Sequence, residues 1–226
     1  MLSRFLILTG ALVMWATAGA QIKVGVTAGA DYNVYSMDQQ YMIDYKVDGR
    51  WGTTFGVSGQ YDVNEWFGVR ADLNFAQKNY RRWRTSHIET DYRFTNNYLQ
   101  LPVMASFGFG GKKLRGSCNL GVYGGYWLSS HNKGSGFDSF SSINNFDFDE
   151  KVEFISERDQ RWDCGFVGGV GASYRIAPHW SAQAEIFYYY STTSSVKQYT
   201  LNRDYRYNST TALQIGAFYH FSVCVL

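Results

Sequence analysis

The feature that most narrows the fold of this chain is a two-residue alternation of apolar and polar side chains, repeated in eight segments. In the clearest segment Cys118, Leu120, Val122, Tyr126 and Leu128 share one face, and Asn119, Gly121, Tyr123, Gly125 and Ser129 share the other. Side chains of a β-strand point alternately to opposite faces, so each segment reads as a wall with one greasy and one polar side. The predicted walls run 22–31, 50–62, 66–82, 92–110, 116–130, 158–176, 180–191 and 208–222. Their connections alternate in length. Asp62 to Glu65, Gly110 to Arg115 and Ala177 to His179 are short, whereas 32–49, 83–91, 131–157 and 192–207 are long and polar. Tight turns at one end and long loops at the other are the rhythm of an outer-membrane barrel. The expected fold class is all-β, an eight-stranded antiparallel transmembrane up-and-down β-barrel.

The first twenty residues have a different character. Arg4 precedes an apolar run from Phe5 to Ala16, and Ala18-Gly19-Ala20 forms a small-residue cleavage site. This predicts a signal peptide over 1–20, a mature N-terminus at Gln21 and one barrel domain over 21–226. The run is too short to span a bilayer, and no later stretch supplies the roughly 20 apolar residues of a membrane helix. Insertion must therefore use strands. Net charge is +2, falling to +1 without Arg4, which excludes a generally nucleic-acid-binding surface. Cys118, Cys164 and Cys224 make no disulfide framework. Cys118 falls near a turn and Cys164 well up its wall, too far apart to bridge.

Alternation alone does not say which face points inward, because a soluble ligand-binding barrel reverses the arrangement. Residue size decides it. Opposite the apolar class stand Gly25, Gly29, Gly52, Gly56, Gly121, Gly125, Gly165, Gly169 and Gly216, with charges among them. Glycine covers nothing on a solvated strand face, yet it suits the crowded lumen of a narrow barrel. Trp51, Tyr61, Trp66, Phe109, Tyr174, Trp180, Tyr190 and Tyr219 fall near wall ends, as interfacial girdles do. The greasy face is thus expected to meet outer-membrane lipid.

Particular stretches sharpen this reading. Ile22-Lys23-Val24-Gly25 with Gly29, Tyr98-Leu99-Gln100-Leu101-Pro102-Val103, Gly121-Val122-Tyr123-Gly124-Gly125 and Asp163-Cys164-Gly165 running to Gly169-Val170-Gly171 are similar to the small outer-membrane barrels of Bacteroidota grouped with PorT-like proteins. The resemblance spans nearly the whole mature chain, and the Leu-Pro strand is its most specific piece. It implies an eight-stranded barrel and, for some members, a part in type IX secretion or surface assembly. The residues after Phe221, Ser222 to Leu226, depart from the usual barrel ending.

Three groupings can carry chemistry. Lys23, Asp31, Arg70, Asp72, Asp163, Arg175 and Glu185 share the glycine-bearing face. An eight-stranded lumen is only wide enough for side chains, so these charges must pair. They are expected to form a plug and no open pore. Lys78, Arg81, Arg82, Arg84 and Arg93 cluster around the second long loop with Tyr80 and Trp83. Arg81, Arg82, Trp83 and Arg84 suit a contact with lipopolysaccharide phosphates or an acidic partner; the alternative is a solvated loop. The third loop is acidic through Asp138, Asp147, Asp149, Glu150, Glu153 and Glu157, without calcium-loop spacing. No catalytic, metal or cofactor site is expected. The histidines read as solvated or interfacial, with His87 and His131 at loop junctions, His179 in a turn and His220 lumenal near the periplasmic end. Asn208-Ser209-Thr210 reads as a chance glycosylation sequon.

The sequence therefore predicts a non-enzymatic barrel that presents loops to a protein partner in secretion or envelope assembly. The rival is an outer-membrane lipid-modifying enzyme, a hydrolase or acyltransferase. It requires a convergent Ser/His/carboxylate cluster at the rim.

Overall fold

The computed structural model describes residues 21–38, 44–86, 90–137, 145–197 and 205–222. The expected signal peptide, His87, Asp138, Cys224 and the tail from Val223 lie outside these residues. The strands are β1 (Gln21–Met37), β2 (Tyr45–Asp62), β3 (Phe67–Gln77), β4 (Tyr80–Arg84), β5 (Asp91–Gly110), β6 (Leu114–Phe137), β7 (Asn145–Val152), β8 (Trp162–Ala177), β9 (Trp180–Ser191) and β10 (Arg206–Ser222). β3 and β4 both pair with β2 and β5, so they are two parts of one wall. β7 and β8 both pair with β6 and form another. The result is eight walls, each antiparallel to its neighbours, with β1 paired to β10 from Gln21↔Ser222 to Met37↔Arg206. That last pairing closes the ring. Closure is what lipid demands, because an unpaired strand edge leaves backbone groups with no water to bond.

Lipid also explains which face is greasy. Leu73, Leu101, Val122, Val170 and Ile215 point outward with 46, 51, 54, 58 and 70% of their surface exposed. The inner face buries Asp31, Arg70, Asp72, Lys78, Asp163 and Glu185 instead. The aromatic girdles are formed as pairs across adjacent walls, with ring centroids 5.2 Å apart for Tyr32–Trp51, 5.1 Å for Tyr126–Trp162 and 5.2 Å for Trp180–Tyr219. Cys118 and Cys164 are free, and Cys164 is exposed on the outer face. Asn208 is buried in β10 and accepts a hydrogen bond from Asn33 Nδ2 at 3.1 Å, so the sequon lies inside the wall.

The walls differ from the predicted spans above the lipid belt. β1 and β2 extend well into the predicted loop 32–49, and β6 with β7 makes a hairpin where 131–157 reads as loop. The predicted wall 158–176 begins later, at Trp162. Before it, Asp159 folds its segment back by accepting from the Ile155 amide at 2.8 Å and bridges to Val196. Above the belt the inner face buries polar residues such as Asn33, Ser130 and Asn132 while the outer face carries charges, so apolar–polar alternation no longer marks a strand.

Two bulges sit at the same height. Between Gly49↔Tyr80 and Thr54↔Ala76, β2 holds four residues against three. In β6, Trp127 pairs with Tyr98 and Ser129 with Asn97, which leaves Leu128 without a partner in the ladder. Strict alternation places Ser129 on the lumen side; the bulge turns it out and sends Ser130 inward, where it is buried. A bulge puts two residues against one, and the faces exchange beyond it.

Replacing Ile215 with Arg should destabilise the folded barrel by about 2–4 kcal/mol, the cost of a cation on the lipid face near mid-membrane. Urea titration of the barrel folded into lipid vesicles measures this, and Gln214→Asn on the inner face of the same strand is the comparison.

Candidate functional site

The lumen is built in storeys. Arg70 and Asp72 lie two residues apart on β3 and so share its inner face. Arg70 Nε donates to Asp72 Oδ1 at 2.8 Å, and Nη1 donates to both oxygens of Glu185 at 2.7 Å across the barrel. Asn119 and Gln183 donate to the same Glu185 carboxylate at 3.0 and 2.8 Å. The guanidinium also lies 5.4 and 5.5 Å from the Phe187 and Phe218 rings. Arg70 is completely buried. An ion so placed is tolerable only with paired charges and full hydrogen bonding.

Above it stands a second storey. Lys78 Nζ, also completely buried, donates to Asp163 at 2.5 Å, and Ser191 and Tyr123 hydroxyls donate to the other oxygen at 2.5 and 3.3 Å. The ammonium lies 5.0 and 4.9 Å from the rings of Tyr98 and Tyr123. Met104, Tyr123, Val167, Phe187, Tyr189 and Ala212 pack the space around these ions. Asp31 is buried within electrostatic reach of Lys78, and neither of its oxygens has a hydrogen-bond partner among the described residues.

The seven charges grouped by the sequence are therefore not one network. Arg70, Asp72 and Glu185 form the lower storey, Asp163 belongs to the upper, and Lys23 pairs with Asp62 at 2.5 Å at the periplasmic mouth. Arg175 stays apart from the Arg70 group, half-buried near His220. Lys78, placed among the loop cations by its position in the chain, is the lumenal partner of Asp163. Its parity with Arg70 and Asp72 was the available signal.

The outer rim also sorts differently from expectation. Tyr80 stacks on Tyr35 and Phe94 with centroids 4.2 and 4.6 Å away. Arg82 lies over Tyr45 and Tyr92 at 5.1 and 5.0 Å, and Arg84 lies over Tyr45 at 5.2 Å and pairs with Asp44 at 3.0 Å. Hydrogen bonds from Ser86 and Thr85, then Arg84, hold the Asp44 carboxyl well below the usual range. Arg82 and Arg84 are thus engaged on the inner side of β4. Arg81 and Trp83 face outward, where Trp83 Nε1 donates to Asp48 at 2.6 Å.

Register then assembles a row that the sequence does not show. Arg81 pairs with Arg93, Arg93 with Lys133, and Lys133 with Asp149, across β4, β5, β6 and β7. Arg81 and Arg93 share Asp91 at 2.7 and 2.9 Å, and Arg50 lies within electrostatic reach of all three. Lys133 donates to Asp149 at 2.7 Å, and His131 is hydrogen-bonded to the same carboxylate. Those two partners hold the Asp149 carboxyl below its ordinary value, Lys133 first. Ser129 lies two residues from His131 on this outer face. Its hydroxyl accepts from Asn97 Nδ2 at 2.9 Å, and among the described residues no hydrogen bond joins it to His131. The acidic third loop is accordingly not free solvent-facing charge throughout, since Asp147, Asp149 and Glu150 lie in β7.

Arg70→Met should cost about 3–5 kcal/mol by stranding two buried carboxylates, and a variant that also replaces Asp72 and Glu185 with apolar residues should recover part of that loss. Urea unfolding in vesicles compares the two.

The family model for the outer membrane protein beta-barrel domain matches residues 5–221. A comparison with curated proteins finds no match. Among solved structures, a major outer membrane protein from Thermus thermophilus aligns at 12% identity over 90% of this chain and 100% of that one, with a TM-score of 0.51. Neisserial surface protein A aligns at 15% identity over 90% and 99%, with a TM-score of 0.48. Ail, the attachment invasion locus protein of Yersinia pestis, in complex with the heparin analogue sucrose octasulfate, gives 15%, the same coverages and 0.46. At these identities the likeness speaks to fold alone. A closed ring of eight walls with its apolar side outward, matched by that model over almost its whole length, makes this chain a member of the outer membrane β-barrel domain family and places it in the outer membrane.

Proposed function

We propose that this barrel is a non-enzymatic surface element that binds lipopolysaccharide phosphates on an outward cationic row and presents its hairpins to a protein partner. The partner acts in envelope assembly or secretion, the role implied by the likeness to PorT-like barrels of Bacteroidota. The signal peptide over 1–20 belongs to the same proposal, and Gln21, its expected product terminus, begins β1.

The observation that carries this reading is the row Arg81, Arg93, Lys133 on consecutive walls just above the lipid belt. Like charges directly opposite one another on a sheet destabilise it. Asp48, opposite Arg81 in register, with Asp91 and Asp149 balances those three charges, and Lys46 over Trp83 and Arg50 beside Arg81 and Arg93 leave the rim positive. Forked guanidinium groups beside Trp83 match phosphate oxygens at headgroup height. The filled lumen supports the same reading, since a barrel packed by two buried ion groups leaves its ends as working surfaces. Arg82 and Arg84, occupied with aromatic rings inside, are withdrawn from the lipid contact.

A second reading has one observation in its favour, the outward grouping of Ser129, His131 and Asp149. Mass spectrometry of lipids incubated with wild type and Ser129→Ala discriminates it, because serine-dependent release of fatty acid would make the protein a hydrolase.

Neutralising the row with Arg81→Gln, Arg93→Gln and Lys133→Gln should reduce co-purified lipopolysaccharide severalfold without unfolding the barrel, since exposed charges contribute little to stability. Arg82→Gln with Arg84→Gln should keep the lipopolysaccharide and lose about 1–2 kcal/mol of stability through the lost cation–π contacts. Equal retention by the triple variant and wild type, at low as well as moderate salt, overturns the lipid contact. In planar bilayers the purified protein should show no large, steady conductance; a stable open channel overturns the closed lumen.

A further inference from the structure

We propose that the periplasmic mouth of the barrel is a binding site for a phosphate oxyanion. The mouth is a small cavity of about 30 Å³ on the inner side of the short turns. Its walls carry the hydroxyls of Ser117, Ser173 and Ser181 together with Arg115 and Lys23. Arg175 adjoins it, paired in register with Ser181. Asp62 is the one carboxylate among the described lining residues, and Lys23 already holds it at 2.5 Å. Lys23 and Arg115 line the concavity against the single carboxylate of Asp62, Arg175 stands beside it, and neither arginine has an acidic partner among the described residues.

Two further observations suit an oxyanion at this mouth. Ser117 Oγ and His220 Nδ1 are buried at this mouth with no hydrogen-bond partner among the described residues, although Ser181 satisfies the other ring nitrogen of His220 at 2.7 Å. Buried polar atoms in native proteins are nearly always satisfied, so a ligand or water must occupy the space they face. Arg115 is also specifically accommodated. A Cβ at position 108 would lie 2.4 Å from its Nε, so Gly108 leaves room for the guanidinium to lie across β5.

The chemistry follows from charge and size. Guanidinium groups and hydroxyls donate and do not need a neutral acceptor, which selects an anion with several oxygens. The cavity admits about two or three water-sized spheres, the room that one tetrahedral oxyanion group takes. The phosphate can be free in the periplasm or the headgroup of an inner-leaflet phospholipid. This site lies at the opposite end of the barrel from the cationic row and stands independently of it.

The test titrates inorganic phosphate into the folded barrel in maltoside micelles by calorimetry. Wild type should bind saturably, and Arg115→Gln and Arg175→Gln should each bind about ten-fold more weakly, the loss of one charge-assisted hydrogen bond. Gly108→Ala, which displaces Arg115 without removing it, should weaken binding too, whereas Lys133→Gln should leave it unchanged. A second arm folds the same proteins into phosphatidylcholine vesicles containing phosphatidylglycerol. Enrichment of phosphatidylglycerol by wild type over Arg115→Gln, with no calorimetric binding of inorganic phosphate, assigns the site to a lipid headgroup. Indistinguishable behaviour of wild type and both arginine variants in both arms, with each variant migrating as folded barrel, overturns the proposal.

Discussion

Width is the constraint on which the rest of this molecule depends. Eight walls close into a ring whose interior accepts side chains and little else. Large groups can enter only where a neighbour has no side chain at all. A Cβ on Gly169 would sit 2.3 Å from Phe187 Cδ1, and one on Gly171 would sit 2.6 Å from Glu185 Cγ. In that narrow interior Arg70 and Lys78 are stripped of water and must find compensation from the protein itself. They find it twice over, in carboxylates and in aromatic rings set beside the ions. The charged groups therefore knit distant walls together, β3 to β9 through Glu185 and the β3–β4 wall to β8 through Asp163.

Filling the middle divides the molecule into two working ends with different chemistry. The outer end carries Arg81, Arg93 and Lys133 on the outside of the wall, beside the lipid surface, and ties Arg82 and Arg84 to aromatic rings within. The periplasmic end carries its cations on the inside, around a concavity. The difference arises from parity. Arg81 and Arg93 occupy outward positions above the belt, whereas Arg115 and Arg175 sit on the inward register of β6 and β8.

The belt was legible from the sequence because lipid imposes one rule on it. Leu73, Leu101, Val122, Val170 and Ile215 could be assigned outward from alternation, and the glycines inward from their lack of size. Above the belt that rule lapses. The β6–β7 hairpin turns charged Lys133 and Asp149 outward and polar Ser130 and Asn132 inward, so its strands carry no apolar stripe, and 131–157 reads as loop. Lys78 was misplaced because it sits at the break between β3 and β4, where a wall resembles the start of a loop. Arg82 and Arg84 read as lipid-facing from proximity in sequence, yet Arg82 shares its inward parity with Tyr80, which is drawn inside by stacking on Tyr35. The row from Arg81 to Asp149 depends on register between strands, and a single sequence contains no statement of register. The same holds for the mouth, where Arg115, Arg175 and Ser181 meet only once three walls are aligned.

The two bulges have a consequence for how such a wall can change length. Within the belt, a one-residue slip turns every apolar side chain from lipid to lumen and every buried ion toward lipid. At Leu128 the extra residue is already carried outside the ladder, between Trp127 facing in and Ser129 facing out. Removing it leaves both neighbours with their present orientation, so His131 and Lys133 stay on the outer face. The height of Leu128 and of the Arg50 to Thr53 stretch is thus an expansion joint, where residues can be gained or lost singly while the Arg70 storey below keeps its alignment.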